Sequence, residues 1–246
     1  MTIQCAGNRT AMATLSELLT NMPADRQPVA AAVAALAAVA ADLSATIRRA
    51  DATAQLGAVR GSANADGDDQ KKLDVLADEM IASALANCAG VAAYLSEERD
   101  SAMGLDDGGD VIVASDPLDG SSNIDTNVSI GTIFSILPAA GGHLQPGRNQ
   151  LASGIFVYGP QTTLLVTFGD GVFAFQLAED REFYDMGWQV QIPPETSEFA
   201  INASNSRHWR APVSRYIADC LAGVDGPRQR NFNMRWVGSL VADGWR

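Results

Sequence analysis

Basic side chains are scarce in this sequence: its 246 residues hold 17 Lys and Arg against 29 Asp and Glu, a formal net charge of −12. With no basic cluster to neutralise a row of phosphates, a nucleic-acid surface or an anionic-membrane surface is excluded. Cysteine is nearly absent. Cys5, Cys88 and Cys220 are far apart, odd in number and without metal-type spacing, so no disulfide framework is expected and a reducing cytoplasm fits best. Of the two histidines, His143 in a Gly-rich loop reads as solvent-facing, and His208 as a structural or surface group more readily than as a substrate contact. The longest apolar run, Val29 to Ala41, is 13 residues and mostly alanine, short of the roughly 18 to 20 that span a bilayer. The N-terminus lacks the basic region, apolar core and small-residue site of a secretory signal. What remains is 47% apolar and 19% charged, the balance of a packed globular protein.

Apolar periodicity organises that remainder. Val29, Val33, Leu36, Ala40, Leu43 and Ile47 recur at alternating steps of four and three, a helical stripe for a core face or a subunit contact. Gly57 to Asp69 reads as a loop, and a second helix is expected from about Lys72 to Asn87. Val111 to Ala114 has the length and branching of a buried strand. Four β-rich segments follow, Ser129 to Leu137, Leu151 to Tyr158, Thr162 to Phe168 and Val172 to Leu177, with turn signals between them; these are expected to be antiparallel neighbours. A strand near Phe199 to Ile201 precedes a helix through Val213, Ile217 and Leu221. Arg235 to Arg246 begins like a helix.

The stretch from Ser115 to Asn123 carries the chemistry. Strand Val111 to Ala114 delivers Asp116 at its C-terminal end, Pro117 stiffens the exit and Asp119 returns three residues later, so both carboxylates can face one point suited to a hard cation. Gly120, Ser121 and Ser122 follow at once, offering backbone N–H groups and hydroxyls to phosphate oxygens. Read alone, Asp-Pro-Leu-Asp-Gly is also an ordinary turn composition. Glu97-Glu98 and Asp68, Asp69 and Asp74 supply further acids.

Taken together, Gly67 to Asp74, Leu95 to Glu98, Asp116 to Asp125 and Val128 to Phe134 resemble the class 1 fructose-1,6-bisphosphatases in order and spacing. Tyr158-Gly159-Pro160, Ile201-Asn202 and Met234 to Asp243 look like that family's later blocks. Asp-Pro-Leu-Asp-Gly alone also marks the wider superfamily that includes inositol monophosphatases. The resemblance implies the α/β class, with the layered α/β/α/β/α sandwich of sugar phosphatases. It would comprise an N-terminal mixed-sheet domain over 1–185 and an incomplete C-terminal α/β domain over 186–246. It implies hydrolysis of the 1-phosphate of fructose 1,6-bisphosphate, in gluconeogenesis or the Calvin cycle, with two or more Mg2+ per subunit or Mn2+ in their place.

Carried over by position, Glu97, Asp116, Asp119, the Leu118 carbonyl and Asp68 would be metal ligands. Asp74 and Glu98, with Asp68, would serve the attacking water, and Asp119, Gly120, Ser121 and Ser122 the cleaved phosphate. Asn202, Asn205, Arg235 and Trp236 would grip the distal phosphate and Leu240 would line the sugar. Asn205 and Trp236 stand where many members have tyrosine. In the family the arginine at the position of Arg235 crosses a subunit interface, which implies a homo-oligomer, a tetramer by resemblance. The family continues beyond Asp243, where another metal carboxylate and two substrate contacts would lie. The alternatives are therefore sedoheptulose-1,7-bisphosphate or an inositol phosphate as substrate, or an inactive truncated fragment.

Overall fold

The computed structural model describes residues 13–49, 65–188 and 190–246, with the side chains of 65–72 and 125 outside that description. Helix α1 (Leu15–Thr20) starts at a capping box: Thr14 accepts from the Glu17 amide, and the Glu17 carboxylate accepts from the Thr14 amide, satisfying two groups a helix start leaves open. Helix α2 (Gln27–Arg49) buries Val29, Val33, Leu36, Ala40 and Leu43, the stripe read from the sequence. Its apolar run is only part of a helical stretch, Ala24–Arg49, that is long and apolar enough by length and composition to cross a membrane. Here the stripe is packed into the core, with Ile47 against its edge.

Helix α3 (Ala65–Leu85) begins earlier than expected, so 65–69 are helix and not loop; residues 57–64 of the expected loop lie outside the described residues. The early start takes Gly67 into the helix, and one interior glycine costs only about 1 kcal/mol.

The helices pack with a mixed eight-stranded sheet in the order β2-β1-β3-β4-β5-β6-β7-β8. Its strands are β1 (Val91–Ser96), β2 (Met103–Gly104), β3 (Val111–Asp119), β4 (Ile130–Pro138), β5 (Ala152–Tyr158), β6 (Thr162–Thr167), β7 (Phe173–Leu177) and β8 (Phe183–Asp185). β1 and β3 run parallel, while β3 through β8 form an antiparallel meander whose middle, β4 to β7, is the set of antiparallel neighbours the turn signals predict. Tyr94, Phe134, Phe156, Phe175, Leu36 and Leu85 are fully buried in one core. Each such side chain contributes roughly 1.5–3 kcal/mol on burial, and the Phe156 ring lies 5.6 Å from that of Phe134, tilted, and 5.8 Å from that of Phe183, edge-on.

β9 (Glu198–Phe199) and β10 (Asn233–Met234) form a separate parallel pair. Phe199 shares a small cluster with Ile217 and Cys220 of α4 (Ala211–Leu221). The last helix, α5 (Leu240–Trp245), starts five residues later than the sequence reading. Gly238 adopts φ +89° and Ser239 is extended, so the chain turns before it coils. Arg235 and Trp236 thus precede α5 instead of opening it.

Candidate active site

The Asp116-to-Asp119 segment is strand, not turn. On β4 the partner of Asp116 is Ile133 and that of Asp119 is Gly131, so three steps on β3 face two on β4. That extra residue is a β-bulge, a device that re-aims side chains at a strand end. Proline has no N–H to give the ladder, and it sits at the bulge where none is required. Its carbonyl accepts from Thr132 Oγ1 at 2.8 Å, and that hydroxyl lies 2.8 Å from Tyr158 OH. The Leu118 amide donates to Asp116 Oδ1 at 3.1 Å, while the Leu118 side chain anchors in the core.

Parallel pairing of β1 with β3 brings in the glutamates. Ser96 faces Ser115, and the Glu97 amide donates to the Ser115 carbonyl at 3.1 Å, setting Glu97 and Glu98 beside Asp116. Asp74 arrives on α3, its carboxylate hydrogen-bonded by Ser121. Burial, then Asp119 and the acids at 97 and 74, push the Asp116 carboxyl up to about 6, against a smaller opposing effect of the Leu118 amide. Burial also raises Asp74, opposed by the Ser121 hydrogen bond and aided by Glu97. Glu98 is raised by partial desolvation and by Asp74 and Glu97. These groups are perturbed chiefly by burial and by one another.

Such an all-oxygen donor set suits a hard divalent cation, and Asp74 Oδ1 is buried without a hydrogen-bond partner. Among the described residues no three acids close on one point as a finished ligand set. The fit to a cation is therefore one of donor chemistry and neighbourhood, not of a preformed coordination geometry. The side chain of Asp68 lies outside the described residues, although its backbone belongs to α3.

Gly120 leaves the bulge with φ +80°, and a Cβ there would lie 3.0 Å from Ser239 Oγ. Beyond it Ser121–Thr126 form a single 3-10 stretch, with Ser121 half-buried and Ser122 exposed. The C-terminal segment is fastened to this loop. Asn123 Nδ2 donates to the Gly238 carbonyl at 3.2 Å and the Val241 amide to Asp119 Oδ2 at 2.9 Å. Leu240 lies between two residues that touch the acidic loop, its own side chain exposed. Arg235 is paired through Nε with Glu198 at 3.3 Å. Asn202 caps the 203–208 turn by accepting from the Ser204 amide, and Asn205 and Trp236 are exposed. His143 and His208 are exposed as well.

Sequence reasoning missed Ser239, whose buried hydroxyl has no partner. It also missed a polar group behind the acids formed by Asp78, Tyr94, Arg99 and Ser115. The signal for Asp78 was its spacing, one helical turn beyond Asp74 on α3. Nothing local marked Tyr94, a buried tyrosine in an alanine-rich strand.

The comparison with protein families gives two matches, the fructose-1-6-bisphosphatase N-terminal domain over residues 14–186 and its C-terminal domain over 192–246. A class 1 fructose-1,6-bisphosphatase of Rhodopseudomonas palustris strain BisB18 is 52% identical over 90% of this chain and 65% of its own length. One from Paracoccus denitrificans is 53% identical over 87% of this chain and 65% of its own. The chain thus spans about two thirds of the length of these curated relatives. The crystal structure of Leishmania major fructose-1,6-bisphosphatase in holo form superposes with a TM-score of 0.81 at 26% identity, covering 95% of this chain and 73% of that one. With both family domains matched in order along the sequence, and half the residues shared with those relatives, this chain belongs to the fructose-1,6-bisphosphatase family.

Proposed function

We propose that this chain hydrolyses the 1-phosphate of fructose 1,6-bisphosphate to fructose 6-phosphate and inorganic phosphate, with Mg2+ as cofactor and Mn2+ as a substitute. The observation that carries this reading is the meeting of Asp74, Glu97, Glu98, Asp116 and Asp119 beside Gly120-Ser121-Ser122. Glu97, Asp116, Asp119, the Leu118 carbonyl and Asp68 would hold the metal. When bound, it supplies Lewis-acid stabilisation of phosphoryl oxygens and of the leaving alkoxide.

The chain's own residues account for the rest. The Gly120 backbone and the Ser121 and Ser122 hydroxyls hold the phosphate to be cleaved. Asn202, Asn205, Arg235 and Trp236 hold the distal phosphate, and Leu240 lines the sugar. This fixes the ester in line with a water molecule, and positioning of that kind supplies most of the catalysis in phosphoryl transfer. Water oxygen bonds to phosphorus, the ester P–O bond breaks, and the water's proton passes to the Asp74–Glu98 pair. Their raised proton affinity makes them better bases than free carboxylates. The leaving sugar alkoxide regains a proton from solvent.

The active form is a homotetramer in the cytoplasm serving gluconeogenesis or the Calvin cycle. The chain divides near residue 185 into a part that holds metal and cleaved phosphate and a part that holds sugar and distal phosphate. Phosphate release from fructose 1,6-bisphosphate, sedoheptulose 1,7-bisphosphate and an inositol monophosphate, each with Mg2+, tests the substrate. The fructose ester should be hydrolysed fastest; preference for the inositol ester would overturn the assignment.

A further inference from the structure

A chain of buried polar groups runs behind the acidic site. Because Asp78 is an acceptor, Tyr94 OH donates to Asp78 Oδ1 at 3.1 Å. The Ser115 hydroxyl, 2.8 Å away, then donates to the tyrosine oxygen. Asp78 Oδ2 is in turn held by Arg99 Nη2 at 2.6 Å. Tyr94 is 0% exposed, Asp78 5% and Ser115 8%, so the two bonds of the phenol are made out of water, where each group left unpaired would be costly, while Arg99 reaches Asp78 from a partly exposed position.

Each member sits next to a residue of the proposed site. Asp78 lies one turn beyond Asp74 on α3, Ser115 immediately precedes Asp116 on β3, Arg99 immediately follows Glu98, and Tyr94 lies three residues before Glu97 on β1. Three elements that deliver mutually repelling carboxylates are therefore tied together at one phenol oxygen. A phenylalanine would fill the same space at position 94, so the hydroxyl adds the tie and little packing. Groups behind a metal site commonly orient its ligands, and their loss lowers metal affinity by about 10- to 100-fold.

We infer that Tyr94, with Asp78, Ser115 and Arg99, is a positioning residue that holds α3, β1 and β3 in the register the cation requires. This inference rests on the proposed metal site and adds a second layer to it. The test is calorimetric titration of the purified chain with Mn2+ alone, beside thermal melting, for wild type, Tyr94→Phe, Ser115→Ala and the control Tyr184→Phe. Tyr184 OH makes a comparable 2.9 Å bond to Asp180 at the surface. Tyr94→Phe should weaken Mn2+ binding about tenfold or more and Ser115→Ala severalfold, with Tyr184→Phe unchanged. Should Tyr94→Phe not fold, Ser115→Ala carries the test. A lower melting temperature with unaltered Mn2+ affinity in both variants would make the network merely structural and overturn the inference. Wild type that binds Mn2+ but cleaves no sugar bisphosphate would sink the substrate reading and leave this inference standing. Wild type that binds no Mn2+ would sink both.

Discussion

The backbone amide of Val241 donates to Asp119 Oδ2 at 2.9 Å across 122 residues of chain. One carboxylate at the end of β3 therefore faces the acidic site and also satisfies an open N–H at the start of α5, where a helix leaves such groups unpaired. Val241 completes the join by packing its side chain over Gly131 of β4. The end of the sheet that carries the acids and the segment carrying Leu240 are a single construction.

Replacing Asp119 by Asn separates its two roles. The amide oxygen can still accept from Val241, but a negative charge leaves the cation site. Metal-dependent hydrolysis should fall by at least about a hundredfold, with thermal stability changed by no more than about 1 kcal/mol. Phosphate release at saturating Mg2+ and a melting curve measure both; near-normal turnover would remove Asp119 from the site.

Gly120→Ala tests the loop backbone. At φ +80° an L side chain is strained, and its Cβ would crowd Ser239 Oγ at 3.0 Å. A destabilisation of about 1–2 kcal/mol is expected, with a larger loss of activity because the Ser121 and Ser122 donors shift. Denaturant melts beside kinetics check this, and full activity in Gly120→Ala would show that the loop does not hold the phosphate.

Stability should respond to pH in a direction set by Asp116, whose carboxyl is raised to about 6 mainly by burial and then by Asp119. Between about pH 4 and 6 the folded, metal-free chain keeps a proton that the unfolded chain has lost. This group's contribution to stability therefore falls as pH rises through that window. A cation must displace that proton, so Mn2+ affinity should rise across the same window, with proton release on binding. Melting temperatures and calorimetry from pH 4.5 to 7.5, with and without Mn2+, test the sign. A metal-free chain whose Asp116→Asn variant shows the same pH slope would contradict it.

The legible parts of this protein were those whose signals are local. The α2 stripe marked one apolar face from Val29 to Leu43 without deciding between core and subunit contact, and the turn signals around Tyr158-Gly159-Pro160 and Phe168 to Gly171 marked the antiparallel strands β4 to β7. The spacing of Asp116 and Asp119 marked the acidic loop, although their segment is a bulged strand and not a turn. Only pairing with β4 makes it so, and pairing has no signature within Asp-Pro-Leu-Asp. Strand β1 escaped because two alanines dilute the usual branched pattern, and its place beside β3 is a long-range fact. The start of α5 was misplaced because Trp236 and Val237 continue an apolar pattern that the left-handed Gly238 interrupts. Contacts such as Val241 to Asp119, or Tyr94 to Asp78 and Ser115, join distant elements and cannot be read from spacing.

The most direct test of the whole account is 31P NMR of fructose 1,6-bisphosphate incubated with the purified chain and Mg2+, with and without excess chelator. Inorganic phosphate and fructose 6-phosphate should appear together, with no fructose 1-phosphate and no reaction once Mg2+ is removed. Hydrolysis that survives the chelator, or fructose 1-phosphate as the product, would contradict it.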